Sequence, residues 1–122
     1  MSIYESGENY LETILILQQR NHTVRSIDIA GELGFSKPSV SVAMKHLKEH
    51  GYIEVDENGF ITLTEAGRLI AARVFEKHTL IARWLVSLGV DEQVAMEDAC
   101  RLEHVISEQS FEALKKHVKE HH

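Results

Sequence analysis

Between Gly34 and Leu63 the chain reads GFSKPSVSVAMKHLKEHGYIEVDENGFITL, and this stretch decides the fold. Gly34 can take positive φ and so stop a preceding helix. Ser36 is an N-cap candidate for the next one, and Pro38 sits in its first turn, where a missing N–H costs nothing. Val40, Met44 and Leu47 form an apolar stripe at helical spacing, and Gly51 ends the helix at about His50. The period then changes. Tyr52 to Asp56 alternates, Glu57-Asn58-Gly59 turns, and Phe60 to Leu63 alternates again, the pattern of a β-hairpin. Upstream, Val24 to Leu33 reads as a short helix with Ser26 as its cap and Ile27, Ala30 and Leu33 on one face. Two helices across a tight Gly turn, followed by a hairpin, outline a winged helix-turn-helix. A further helix over residues 6–19 precedes it, its apolar positions Tyr10, Leu11, Ile14, Leu15 and Leu17 at helical spacing.

The second half is helical throughout. Thr64 caps a long helix to about Leu88, with Leu69, Ile70, Val74, Phe75, Ile81, Trp84, Leu85 and Leu88 expected along one stripe. Gly89 stops it. Asp91 opens a helix to about Val105, and Ser107 opens the last, which ends near Lys119. The expected fold is mainly α with a small β-hairpin wing: a winged helix-turn-helix over residues 1–64, then a helical dimerisation domain over residues 65–122. So short a helical tail buries little by itself, so pairing with a second copy is expected. Two-fold readers of DNA also space their recognition helices ~34–36 Å apart.

Composition narrows the function. The chain has 122 residues, 43% hydrophobic and 26% charged, as in an ordinary single folded protein. No run approaches the ~18 apolar residues of a membrane span, and the acidic N-terminus does not resemble a secretory signal. One cysteine, Cys100, forms no internal disulfide and suits the cytoplasm. The formal net charge is −6, which argues against diffuse nucleic-acid binding. Its distribution argues for a focused patch. Between Glu32 and Glu49 there is no acid, only Lys37, Lys45 and Lys48, whereas residues 51–64 carry three acids and no Lys or Arg. Whether His121 and His122 are native or remain from a tag is not written in the sequence.

Cys100, Glu103 and His104 stand at i, i+3 and i+4, so on a helix they share a face. Thiolate, carboxylate and imidazole in one place suit a metal ion. The plainer alternative is a core cysteine beside a surface Glu-His pair. His78 lies in the stripe of the long helix, and the Gly89 turn folds the next helix back toward it. On the first helix, Glu12 lies with Glu8 and Asn9, an arrangement that equally suits a solvated first turn.

These residues together resemble a known family, the metal-dependent repressors of the diphtheria toxin repressor and manganese transport regulator type. The resemblance spans essentially the whole chain. It rests on Asn9-Tyr10-Leu11-Glu12, Asp28-Ile29-Ala30, Ser36-x-Pro38-Ser39-Val40-Ser41, Leu63-Thr64-x-x-Gly67, His78 and, most specifically, Ala99-Cys100-Arg101-Leu102-Glu103-His104-Val105. It implies a metal site of Asn9, Glu12, His78, Cys100, Glu103 and His104. Glu12 and His78 match the manganese branch, Cys100 matches the iron branch, and Asn9 matches neither. The soft thiolate favours Fe(II) over Mn(II), with Co(II), Ni(II) or Zn(II) as surrogates. The iron branch's ancillary site is not expected, because Ala82 and Met96 stand where it needs ligating groups. Nor is that branch's SH3-like domain expected in a chain of this length.

The resemblance also implies the partners: a palindromic double-stranded DNA operator and a second copy of the chain, with no membrane. Ser36, Lys37, Pro38, Ser39, Ser41, Val42 and Lys45 project from the recognition helix toward phosphates and thymine methyls. That helix has no Arg, Asn or Gln for bidentate base reading, so DNA shape is expected to contribute. Repression of metal-uptake genes is the expected role. The competing readings are a winged-helix regulator sensing an organic ligand or thiol oxidation through Cys100 without metal, a protein-interaction module without DNA, and a purely structural zinc site. Nothing resembles an oxyanion hole or a phosphate-cradling loop, so an enzyme is not expected.

Overall fold

The computed structural model describes residues 5–120, with side chains from Gly7 onward. His121 and His122 lie outside the described residues. Six helices and one hairpin follow in the order α1 (Glu5–Asn21), α2 (Ser26–Leu33), α3 (Lys37–Glu49), β1 (Ile53–Val55), β2 (Ile61–Leu63), α4 (Glu65–Ser87), α5 (Glu92–Val105) and α6 (Glu108–Glu120). The chain divides into two compact units, Met1–Ala72 and Arg73–His122, so α4 belongs to both. No helix among the described residues is long and apolar enough to cross a membrane.

The N-terminal unit is the winged helix-turn-helix that the sequence outlines. Gly34 takes φ 71° and closes α2 through its N–H to the Ala30 carbonyl. Ser36 caps α3 by accepting from the Ser39 N–H at 3.3 Å, with Pro38 in the first turn. One cap differs from expectation. Arg25, not Ser26, is the N-cap of α2, and the Asp28 carboxylate reaches back to the Arg25 N–H at 2.9 Å. An acid three residues into the helix satisfies that donor, and Ser26 becomes the first helical residue. The hairpin is antiparallel, with Ile53 opposite Leu63 and Val55 opposite Ile61. Its turn is wider than a two-residue Asn-Gly connection. The Asp56 carboxylate accepts from the N–H groups of Asn58 and Phe60, and Gly59 takes φ 83°. Leu11, Ile14, Leu17, Ile29, Val40, Met44, Leu47, Ile53 and Ile61 form one buried core from all five elements.

The first two turns of α4 close this unit. Thr64 Oγ1 accepts from the Gly67 N–H and donates to the Gly51 carbonyl. A Cβ on Gly67 would lie 2.0 Å from the Tyr52 carbonyl oxygen, so only glycine lets the helix meet the hairpin backbone. Ala71 completes the core.

The C-terminal unit is built differently. Ile81, Ala82 and Ala99 form its small core, with Leu85, Ile106 and Leu114 packed around it. The apolar stripe expected along α4 is interrupted. Leu69 and Leu88 are exposed, and Lys77 occupies a buried position in the same helix. Helical spacing placed these residues on a face but could not say how much of that face is covered. Asp91 caps α5 through the Gln93 and Val94 N–H groups, and Ser107 caps α6 through the Ser110 N–H, as the sequence indicates. Val86, Leu88, Val94, Met96, Leu102 and Val105 are exposed.

Candidate metal centre and DNA-reading face

α4 supplies His78 and α5 supplies Cys100, Glu103 and His104. The left-handed Gly89 (φ 100°) makes the turn between the two helices, and small residues, Ala82 and Ala99, let them pack closely. His78 Nδ1 stands 3.6 Å from Cys100 Sγ and 3.2 Å from Glu103 Oε2. One ligand atom each from His78, Cys100 and Glu103 lies within 4.8 Å of the others. His104 Nε2 is 3.2 Å from the other Glu103 oxygen. Glu103 therefore sits between two imidazoles, and it is 1% exposed. A carboxylate so buried is costly unless hydrogen-bonded or shared with a cation. The sequence alternative of a core Cys100 beside a surface Glu103-His104 pair is reversed here. Cys100 is exposed, whereas Glu103 is buried and the His104 side chain is 5% exposed.

Imidazole, thiolate and carboxylate suit a borderline first-row divalent ion, and the spacing of these atoms is that of groups able to close on one centre. The donor set thus fits the metal that the sequence implies. Asn9 and Glu12 lie in the N-terminal unit, one turn apart on α1. Glu12 is buried at 6% exposure and Asn9 is half-buried. The Asn9 carbonyl accepts from the Thr13 hydroxyl at 2.8 Å.

Beside the site, α6 is held to α4 by charge, which the sequence reading missed. Arg73 pairs with Glu76 at 2.7 Å and also with Glu108 and Glu112. Lys77 pairs with Glu108 at 2.9 Å, and Lys115 with Glu76 at 2.8 Å. The fully buried Phe111 ring lies under the Arg73 guanidinium, 4.8 Å from its centroid. Arg73 and then Lys77 pull the Glu108 carboxyl down to about 2, against a smaller opposing effect of burial. Lys115, then burial in the opposite sense, then Arg73 set the Glu76 carboxyl, with a net lowering. The available signal was Arg73 and Lys77 flanking Val74 in a helix otherwise read for its apolar residues.

The seven residues expected to meet DNA share the exposed face of α3 and its cap. Ser36, Lys37, Pro38, Ser39, Ser41, Val42 and Lys45 are all exposed, while Val40, Met44 and Leu47 are buried opposite them. The Ser36 hydroxyl donates to Ser39 Oγ at 2.8 Å while accepting from the Ser39 N–H, so it is engaged as a cap. The Ser39 hydroxyl keeps its own donor for an incoming acceptor.

Residues 2–59 match the family model of the iron dependent repressor N-terminal DNA binding domain. Residues 64–122 match that of the iron dependent repressor metal binding and dimerisation domain. The chain belongs to the iron-dependent repressor family. It is 37% identical over 113 residues to an uncharacterized HTH-type transcriptional regulator of Methanocaldococcus jannaschii, which covers 91% of this chain and 90% of that protein. It is 32% identical to the transcriptional regulator MntR of Escherichia coli O157:H7, over 93% of this chain and 74% of that protein. Among solved structures, the manganese regulator SloR superposes with a TM-score of 0.82 at 29% identity. That match covers 98% of this chain, which spans 55% of the SloR chain. These repressors are regulators rather than enzymes, and this member carries the family's DNA-binding and dimerisation domains.

Proposed function

We propose that this chain is a transcriptional repressor of metal-uptake genes, whose binding to a palindromic operator is activated by a divalent transition metal, Fe(II) in preference to Mn(II). The convergence of His78 Nδ1, Cys100 Sγ and the Glu103 carboxylate is the observation that carries this reading. A thiolate among the ligands favours the softer ion, because hard Mn(II) prefers oxygen donors. Co(II), Ni(II) and Zn(II) are surrogates. When bound, the cation offsets the negative charge of the Cys100 thiolate and Glu103 and cross-links the elements that carry its ligands.

His78 and His104 donate as neutral imidazoles, so acid pH opposes loading. Glu103 also accepts from His104, which fixes the orientation of that ring. We assign Glu12 and Asn9 of α1 to the same ligand set. The burial of an acid on that helix supports Glu12, and Asn9 would contribute a neutral amide oxygen. Ligands from the reader as well as from the dimerisation unit give metal a differential effect on the DNA-competent form, and regulation requires such a differential. The exposed face of α3 reads the operator as a homodimer in the cytoplasm. Lys37 and Lys45 meet phosphates, Ser39 and Ser41 donate to the DNA backbone beside the capping Ser36, and Pro38 and Val42 touch thymine methyls.

Anaerobic titration of the reduced protein with Co(II) tests the site. A saturating thiolate-to-metal absorption band is expected, and its absence together with absence of binding overturns the reading. Operator affinity measured with and without metal tests the switch, and equal affinity sinks it. A second reading, a metal-free winged-helix regulator sensing a thiol oxidant through Cys100, draws on the exposure of that sulfur. The same titration separates the two.

A further inference from the structure

The wing of this reader is acidic. Residues 49–67 contain five acids and neither Lys nor Arg. Glu54, Asp56 and Glu57 on the hairpin are all exposed. Carboxylates repel phosphates, so these side chains cannot hold one. The wing offers no Lys or Arg of its own to a phosphate, so a cation on that side has to come from another element.

Arg25 has the required properties. Its guanidinium lies over the ring of Phe60, the residue that closes the hairpin turn, 4.5 Å from the centroid. The backbone beside it is tied to the same strand, since the Ile61 N–H donates to the Val24 carbonyl at 2.8 Å. Asp28 engages the backbone N–H of Arg25 as the helix cap. Among the described residues the guanidinium makes no ion pair, in contrast to Arg20, which pairs with Glu32 at 2.9 Å. The residue is exposed. Stacking on an aromatic ring leaves the planar N–H donors of Arg available and already ordered, so little entropy is lost when they engage a phosphate. Arg25 also occupies the N-cap of α2, the first helix of the helix-turn-helix, and that helix crosses the DNA backbone in such readers. The helix dipole there adds a favourable field for an anion.

We infer that Arg25, held against Phe60, is the phosphate anchor of this reader on the wing side, in place of a Lys or Arg of the wing itself. The inference rests on the DNA-binding reading above. It is tested with the full chain, saturated with Co(II), against a fluorescein-labelled mixed-sequence duplex, by anisotropy across a series of KCl concentrations. Arg25→Gln is expected to weaken binding by at least about fivefold and to flatten the log–log salt dependence by about two, one for each protomer of the dimer. Arg25→Lys keeps the charge, so it is expected to restore the slope while leaving affinity below wild type. Phe60→Leu is expected to keep the slope and lose affinity, because the guanidinium is no longer held. A wild-type slope in Arg25→Gln overturns the proposal, and Arg25→Lys and Phe60→Leu decide the matter if that variant does not fold. Wild-type affinity in Phe60→Leu overturns the stacking role. If wild type itself shows no salt-dependent binding, and Lys45→Ala changes nothing, the DNA-binding reading fails and this inference with it. If Lys45→Ala weakens binding and Arg25→Gln does not, only this inference fails.

Discussion

The two units of this chain are held together by different physics. The N-terminal unit has a core of large aliphatic side chains drawn from three helices and a hairpin, with Leu11, Ile14, Ile29 and Val40 fully buried. The C-terminal unit has Ile81 and two alanines at its centre and a ring of ion pairs around Phe111. It also leaves six large apolar side chains exposed, Val105 among them at 70%. The reader thus carries the burial of a self-sufficient domain. The other unit relies more on charge and on whatever joins Glu103 to its neighbours. Ion pairs are screened by salt far more than apolar burial is, so the second unit is the more responsive of the two to its surroundings.

The largest expected effect is on the apolar core. Ile29→Ala should destabilise the reader by about 2–5 kcal/mol, with most of the loss persisting in saturating metal. Differential scanning calorimetry checks it, and full rescue by metal would erase the contrast between the units. Next is the metal itself. At a free concentration a hundredfold above its dissociation constant, Co(II) should add about 2.7 kcal/mol of stability. Glu103→Gln should remove most of that gain, and a thermal shift equal to wild type would take Glu103 off the ligand list.

A smaller effect tests local structure in the reader. Ser36→Ala removes the cap of α3 and should cost about 1 kcal/mol without altering Co(II) affinity. Parallel melting and titration measure both.

The smallest effect is pH-dependent and confined to the second unit. Glu108 is held at about 2 by Arg73 and then Lys77, below the usual carboxylate value of 4.5. A carboxyl lowered on folding contributes stability that is fully present above its unfolded value and is lost as pH falls toward the folded one. The docking of α6 should therefore weaken between pH 4.5 and about 2. Because Glu108 is largely exposed, the loss should be modest and further reduced by salt. Melting between pH 6 and pH 3 should show a shallower decline in Glu108→Gln than in wild type, and identical declines would remove this pair from the account.

Much of the reader was legible because its signals are local. Gly34, the Ser36 cap, Pro38 and the Asn58-Gly59 turn each act within a few residues, and the period change at Tyr52 marks the hairpin without tertiary information. The convergence of Cys100, Glu103 and His104 was legible for the same reason, since helical spacing alone places them on one face. Their depth was not, because burial depends on what packs above a face. Leu69 and Leu88 fit the stripe of α4 by period yet lie in solvent, while Lys77 is buried. The ion pairs between α4 and α6 escaped notice because their partners stand 31 to 39 residues apart, from Lys77 with Glu108 to Arg73 with Glu112, and no short-range pattern links them. Arg25 displaced Ser26 as the cap because Asp28 could reach the earlier N–H.

Gly67 sets a practical limit on rebuilding this protein. α4 meets the hairpin with no room for even a methyl group at that position, and Ala71 one turn later completes the reader's core. A chimera that exchanges reading heads must therefore carry the first two turns of α4 along with the donor's wing. A splice placed after Ala72 keeps every one of those contacts inside one parent, whereas a splice at Thr64 asks two unrelated surfaces to match at backbone distance.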